Sequence, residues 1–195
     1  GGSGNDTLLG GLENDTLDGG GGTDWASYAG ATDGLTIDLG TDSSAGEHGN
    51  DALRNIENVL GGNGNDSIIG NDIANELSGG EGNDTLLGGL ENDTLDGGNG
   101  TDLASYAGAT ATVTVDLSVS SSAGEHGTDA LRNFENVLGG NGNDSIIGND
   151  IANELSGANG NDTLDGGNGN DTLIGGLGDD SLDGGNGSDW ASYAG

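Results

Sequence analysis

Twelve aspartates recur at the sixth place of a nine-residue unit, and this spacing is the clearest chemical pattern in the chain. The first unit, Gly1 to Leu9, is followed at once by a second at 10–18. Each unit joins a glycine-rich turn bearing one carboxylate to three residues that include a large aliphatic. If the units stack, like carboxylates approach one another and repel unless a cation lies between them. The aspartates are Asp6, Asp15, Asp24, Asp66, Asp84, Asp93, Asp102, Asp144, Asp162, Asp171, Asp180 and Asp189.

The donor chemistry favours calcium as that cation. Calcium accepts six to eight oxygen ligands, carboxylate or carbonyl, in a flexible geometry, whereas magnesium requires a stricter octahedron. Zinc prefers histidine or cysteine, and the chain has no cysteine and only His48 and His126, which we interpret as surface residues of a turn. The sequence therefore predicts that the chain binds several Ca²⁺ ions.

The elements that position these aspartates are short turns and strands. Glycine-rich turns can take the positive φ values that a tight reversal needs, and the middle residue of the next three points inward. Two units then make one coil, and stacked coils give two parallel sheets around a thin aliphatic core. The predicted fold is an all-β solenoid, and stacking at about 4.8 Å per coil would give a rod about 50 Å long.

The units fall into three runs separated by two related segments. The runs cover 1–27, 61–105 and 139–192, and the segments 28–60 and 106–138 resemble one another. A longer period relates the first part of the chain to the second, since the sequence from Gly61 to Ser78 returns at 139–156. We predict that residues 1–195 form one continuous domain, a window of a longer tandem array, in which both segments are modified coils.

Alternating apolar residues predict strands within the modified coils, at 35–39, 113–117 and 55–60. The inward place becomes alanine at Ala26, Ala104 and Ala191, and a tyrosine follows each alanine two residues later. Positions two apart on a strand share a face, so these tyrosines either fill the core beside the alanines or mark strand ends facing water. We favour the core for Tyr28, Tyr106 and Tyr193.

The composition restricts the classes of partner. The chain has 34 acidic against 2 basic residues, a net charge of -32, and only 30% hydrophobic residues. Such a chain is disordered unless something cationic completes its fold. It repels nucleic acid, and no apolar stretch is long enough for membrane insertion.

The repeated G-G-x-G-x-D-x-U-x pattern resembles the RTX (repeats-in-toxin) family of hemolysin-type calcium-binding nonapeptides, whose units form a parallel β-roll. The resemblance covers at least the three runs and implies that ions lie between turns one coil apart. It would pair Asp66 with Asp84, Asp84 with Asp102, Asp162 with Asp180, and Asp171 with Asp189. It also implies carbonyl ligands in the turns, for which we predict Gly2, Gly4, Gly62, Gly64, Gly80, Gly82, Gly98, Gly100, Gly140, Gly142, Gly167, Gly169, Gly176, Gly178, Gly185 and Gly187.

Several turns depart from the pattern. Glu13 and Glu91 replace a turn glycine, which would either distort the turn or add a ligand, and Ala158 replaces another without expected harm. Asn75 and Asn153 take the aspartate place, so we expect these turns to bind calcium weakly or not at all. Asp51 and Asp129 are further acids that could either bind an ion or serve another purpose.

No catalytic constellation is present, and we predict that the chain is not an enzyme. The favoured function is a calcium-binding structural module that folds on binding calcium, a spacer in an adhesin, surface layer or filament. The resemblance implies a secreted or cell-surface protein exported by a type I system, which could self-assemble laterally or end to end. The alternatives are the secretion and folding module of a secreted hydrolase or toxin, and a calcium buffer.

Overall fold

The computed structural model describes residues 1–193, which form strands and turns without a helix. None of these residues therefore belongs to a helix that could cross a bilayer. The chain divides into two compact units, 1–102 and 103–195. The strands have two to six residues in the first unit and three residues in the second. The prediction of an all-β fold with parallel sheets is confirmed.

The first unit contains thirteen strands: β1 (Gly2–Ser3), β2 (Thr7–Leu8), β3 (Thr16–Asp18), β4 (Gly20–Gly21), β5 (Trp25–Ser27), β6 (Thr36–Asp38), β7 (Ser43–Ala45), β8 (Ala52–Arg54), β9 (Asn58–Leu60), β10 (Ser67–Ile69), β11 (Glu76–Glu81), β12 (Thr85–Leu87) and β13 (Thr94–Asn99). Within it one sheet has the order β12-β10-β6-β7-β8-β3 and a second has β2-β5-β9-β11-β13, while β1 pairs with β4.

The second unit contains eleven strands: β14 (Leu103–Ser105), β15 (Thr114–Asp116), β16 (Ser121–Ala123), β17 (Ala130–Arg132), β18 (Asn136–Leu138), β19 (Ser145–Ile147), β20 (Glu154–Ser156), β21 (Thr163–Asp165), β22 (Thr172–Ile174), β23 (Ser181–Asp183) and β24 (Trp190–Ser192). Its sheets have the orders β17-β16-β15-β19-β21-β23 and β24-β22-β20-β18-β14.

The parallel register confirms two nonapeptides per coil. Ile68 of β10 lies opposite Leu86 of β12, and Leu164 of β21 lies opposite Leu182 of β23, so each residue faces its equivalent two nonapeptides farther on. The middle side chain of the three-residue strands is buried, as predicted, except at the half-buried Leu182 of β23 and the exposed Ala191 of β24. The aliphatic side chains of Ile68, Leu77, Leu86, Leu155 and Leu173 are fully buried. These stacked aliphatic side chains are the core that holds the turns in line.

The modified coils continue the stack with an addition that the pattern did not predict. In the first unit β6 pairs in parallel with β10, and β8 pairs in parallel with β3. Between them β7 runs antiparallel to both, and in the second unit β16 lies in the same way between β15 and β17. The sheets are thus parallel except at these two inserted strands.

A buried polar cluster holds the inserted strand against the core. The Tyr28 hydroxyl donates its single proton to Asp51 Oδ2 at 3.0 Å, and Ser44 Oγ lies within hydrogen-bond distance of the same hydroxyl oxygen, at 2.8 Å. The second unit repeats the arrangement with Tyr106 and Asp129. Burial raises the pKa of the Tyr28 phenol, so its hydroxyl keeps the proton that it donates to Asp51. The core interpretation of these two tyrosines is confirmed.

The same prediction is wrong for Tyr193, which is 63% exposed. The groups that bind the Tyr28 hydroxyl come from 16 and 23 positions farther along the chain. Residues 194–195, which close the predicted domain, lie outside the described part of the chain.

We predict that Tyr28→Phe lowers the free energy of unfolding by about 1–3 kcal/mol, because the buried Asp51 carboxylate loses a hydrogen-bond donor. Urea unfolding in saturating calcium measures the change. Tyr193→Phe removes the same atom from an exposed side chain and should shift stability by less than about 0.5 kcal/mol. Equal losses for the two variants would contradict the role assigned to the cluster.

Candidate metal centre

Ten of the twelve sixth-place aspartates accept a backbone N–H of the preceding coil through one carboxylate oxygen. Asp84 Oδ1 accepts the N–H of Asp66 at 2.7 Å, and Asp162 Oδ1 accepts the N–H of Asp144 at 2.8 Å. This contact therefore ties coil to coil and fixes the direction of the carboxylate. It recurs as Asp6–Asp24, Asp84–Asp102, Asp162–Asp180 and Asp171–Asp189.

The other carboxylate oxygen lies over the first glycine of its own turn. A Cβ placed on Gly157 would collide with Asp162 Oδ2, and Gly79 and Asp84 stand in the same relation. Only glycine fits the first place, since the carboxylate occupies the space that a side chain would need. The sequence pattern of glycine followed five places later by aspartate thus has a steric cause.

These second oxygens are buried and have no hydrogen-bond partner. The group includes the Oδ2 atoms of Asp15, Asp24, Asp84, Asp162, Asp171 and Asp180. A buried carboxylate oxygen without a donor is costly, whereas a cation bound there removes the cost. The residues therefore fit a hard cation that takes carboxylate oxygen as a ligand.

In most of these turns the second and fourth residues have left-handed φ values, which only glycine adopts freely. In ten turns both the second and the fourth residue have left-handed φ values, for example 111° at Gly80 and 123° at Gly82. Glu13, Glu91 and Ala158 take left-handed φ values of 76°, 72° and 74°. The turn geometry is thus kept at the places where the sequence departs from glycine.

The two sets of predicted carbonyl ligands have different surroundings. Second-place carbonyls already accept a hydrogen bond from the next coil, as Gly167 O does from the N–H of Asn186 at 2.8 Å. Fourth-place carbonyls face the fourth-place glycine of the next coil, and a Cβ on Gly100 would collide with Gly82 O. A cation that binds a carboxylate here can take turn carbonyls as further ligands, as calcium does.

The fifth-place asparagines form a separate ladder on the exposed edge of the turns. Asn65 Oδ1 accepts the N–H of Asn83 at 2.8 Å, and Asn83 Oδ1 accepts the N–H of Thr101 at 3.0 Å. The ladder stabilises the turn stack with neutral groups only. The repeat pattern did not predict this ladder, although asparagine precedes the sixth-place residue in eight of the fourteen units.

Two acids of the first modified coil continue the carboxylate contacts. Asp51 Oδ1 accepts the N–H of Asp15 at 2.9 Å, and Glu57 Oε2 accepts the N–H of Asp24 at 2.8 Å. Because Asp51 Oδ2 accepts the Tyr28 hydroxyl, both of its oxygens have protein donors. Residues 46–51 resemble a repeat turn with glutamate in the second place, so the pattern signalled Asp51 at the sixth place, whereas nothing in the pattern signalled Glu57.

Burial raises the pKa of four sixth-place carboxyls, those of Asp66, Asp84, Asp162 and Asp171. The pKa of Asp84 rises to about 7 because burial disfavours its charge, and the neighbouring carboxylates of Asp66 and Asp102 add to the rise. The pKa values of Asp66, Asp162 and Asp171 are raised for the same main reason. Across residues 1–193, no three histidine or acidic side chains gather into a metal cluster. Each candidate site instead combines a few carboxylate oxygens with the turn backbone.

The comparison with known proteins gives one family. Residues 1–33, 55–72, 69–104, 134–163 and 156–191 match the RTX calcium-binding nonapeptide repeat, and together they cover well over half of the chain. No curated protein matches the chain significantly.

The close approach of successive turns predicts a sharp difference between adjacent glycines. A Cβ on Gly22 would collide with Gly4 O, and its φ of 143° is left-handed, so Gly22→Ala should cost about 2–4 kcal/mol. A Cβ on Gly21 meets nothing closer than 4.0 Å, so Gly21→Ala should stay within about 0.5 kcal/mol. Urea unfolding in calcium compares the two, and similar losses would contradict the turn geometry.

The raised pKa of Asp84 predicts that acid stabilises the fold when calcium is absent. Between the ordinary carboxyl pKa of 3.8 and about 7, the folded chain binds more protons than the unfolded chain. Stability without calcium should therefore rise as the pH falls through this range. Circular dichroism in EDTA from pH 8 to pH 4.5 should show increasing β structure, and a decrease would contradict this. In saturating calcium acid should weaken folding, because protons compete with the ion.

Proposed function

Because the chain belongs to the family of RTX calcium-binding nonapeptide repeats, we propose that it is a structural spacer module of a secreted or cell-surface protein that folds on binding calcium. The repeat itself is a calcium-binding module of a type that is not typically catalytic. The observation that carries the proposal is the row of buried carboxylate oxygens without donors in successive turns. These oxygens make the folded chain dependent on a cation that the unfolded chain does not need.

In this proposal the chain orients the carboxylates, and the calcium ion supplies the positive charge. The backbone N–H of one coil holds the Oδ1 of the next, so the carboxylate is oriented before an ion arrives. Calcium supplies the positive charge that a chain of net charge -32 lacks. Orientation in advance lowers the entropy cost of binding, and it exists only in the folded chain.

Binding to the folded chain alone converts ion concentration into stability. Calcium at tenfold above the dissociation constant of one site adds about 1.4 kcal/mol at that site, and several sites add up. Sites of extracellular modules often have dissociation constants of about 10⁻⁴–10⁻³ M. With sites of this strength the chain stays unfolded where calcium is scarce and folds outside the cell, which suits export by a type I system.

The near-identical copies favour a spacer over other roles. The motif Gly88-Gly89-Leu90-Glu91-Asn92-Asp93 repeats residues 10–15 at the equivalent place of the next long repeat. Identical copies lengthen the protein without changing the chemistry of its surface, which suits a spacer in an adhesin, surface layer or filament. Further copies before Gly1 in the parent polypeptide would support this role, whereas a hydrolase or toxin domain there would support the alternative, a secretion and folding module.

Coupled folding and binding predicts a spectrum that depends on calcium. We expect disordered circular dichroism in EDTA and a β spectrum in millimolar CaCl₂, with small-angle scattering showing the chain contract from a radius of gyration of about 47 Å. NaCl at the same ionic strength separates charge screening from binding, and MgCl₂ tests the choice of ion. A β spectrum unchanged by EDTA would contradict the coupling, and equal folding in NaCl would contradict the site.

A further inference from the structure

Four turns differ in backbone from the other ten. At 61–66, 70–75, 139–144 and 148–153 neither the second nor the fourth residue has a left-handed φ, whereas both do in every other repeat turn of residues 1–193. We call these four the closed turns and the other ten the open turns. Two closed turns follow the modified coil in each unit.

The aspartates of two closed turns have protein donors for both oxygens. Asp66 Oδ1 accepts the N–H of Leu35 at 2.8 Å, and its Oδ2 accepts the N–H of Gly62 at 2.7 Å. In the second unit Asp144 accepts from Val113 and Gly140 in the same way, at 2.8 and 2.6 Å. The second-place N–H can point at the carboxylate because its residue is not in the left-handed region.

The other two closed turns carry asparagine, and its amide group makes the contacts. Asn75 Oδ1 accepts the N–H of Asn71 at 2.9 Å, while its Nδ2 donates to Glu57 O at 2.6 Å and to Asn71 Oδ1 at 3.2 Å. Asn153 repeats this with Asn149 and Glu135 O. The neighbours fix the orientation of the amide, because the reverse one would set Oδ1 of Asn75 against the Glu57 carbonyl.

We infer that the closed turns bind no calcium, and that the side-chain amides of Asn75 and Asn153 take the role that a cation has in the open turns. An amide NH₂ carries partial positive charge and two donors, and here it faces two oxygens of the neighbouring backbone and side chain. This inference rests on the proposed function and divides the calcium sites: each unit holds two closed turns beside open turns that require the ion. It removes Asp66 and Asp144 from the predicted ligands.

Isosteric aspartate-to-asparagine substitutions test the division directly. Equilibrium dialysis with ⁴⁵Ca²⁺ on the full chain counts the bound ions, and circular dichroism checks folding. Asp84→Asn and Asp162→Asn, in open turns, should each lose at least one bound ion. Asp66→Asn and Asp144→Asn, in closed turns, should keep the wild-type number. Loss of an ion in the closed-turn variants would overturn the inference. Such a loss is expected if Asp66 and Asp84 bind the same ion.

The reverse substitutions remain informative if the closed-turn aspartates prove necessary for folding. Asn75→Asp and Asn153→Asp set a carboxylate against two other oxygens, so each variant should bind one additional ion and need more calcium for half-maximal folding. Asn65→Asp adds the same charge in the exposed ladder, where a carboxylate still accepts the N–H of Asn83, and should change neither quantity. An unchanged ion count and midpoint in the Asn75 and Asn153 variants would also overturn the inference.

The two levels of the argument fail separately. If the wild-type chain binds no calcium, the proposed function is wrong. If it binds calcium but open-turn and closed-turn variants lose ions equally, the function stands and only the division of the turns is wrong.

Discussion

One hydrogen bond organises the turns: a carboxylate oxygen of one coil accepts the backbone N–H of the coil before it. Asp84 and Asp162 show both consequences, since Oδ1 is held at 2.7–2.8 Å while Oδ2 is buried without a donor. The contact links coils and at the same time leaves one charged oxygen without a donor in turns such as those of Asp24, Asp84 and Asp162. The stack therefore has a deficit of positive charge at these turns, which the proposed calcium ions would supply, and the deficit follows from the same bond that links the coils.

The first modified coil and the closed turns meet the same requirement without an ion. Asp51 receives the hydroxyl of Tyr28 and the N–H of Asp15, and Asn75 supplies its own NH₂ group to the Glu57 carbonyl. The inserted antiparallel strand β7 brings Ser44 to the same cluster. Each unit thus combines turns that satisfy their polar groups internally with turns that leave an oxygen to an external cation.

The nine-residue period was enough to predict the coil, but it did not predict where the structure departs from the regular coil. The inward aliphatic residues and the pairing of equivalent positions on successive coils follow from the repeat, because a strand alternates its faces. The antiparallel strands β7 and β16 could not be predicted, since Ser43–Ala45 has no apolar alternation and depends on the buried Tyr28 hydroxyl. The difference between open and closed turns could not be predicted either, because glycine takes the second place in turns of both kinds, as at Gly62 and Gly80. In the structure Gly80 has a left-handed φ, whereas Gly62 does not and donates its N–H to Asp66. Asn75 and Asn153, which replace the sixth-place aspartate, were the signal visible in the sequence.

The turns are sterically crowded, but a side chain at the third place of the repeat can be accommodated. First-place and fourth-place glycines are fixed by the carboxylate and carbonyl that face them, whereas a side chain at the third place meets open space, as at Gly21. Serine, leucine, asparagine and glutamate already occupy this place, at Ser3, Leu12, Asn63 and Glu81. Substitutions at the third place can therefore accumulate during evolution without disturbing the stack. The same fold can thus carry many different surfaces.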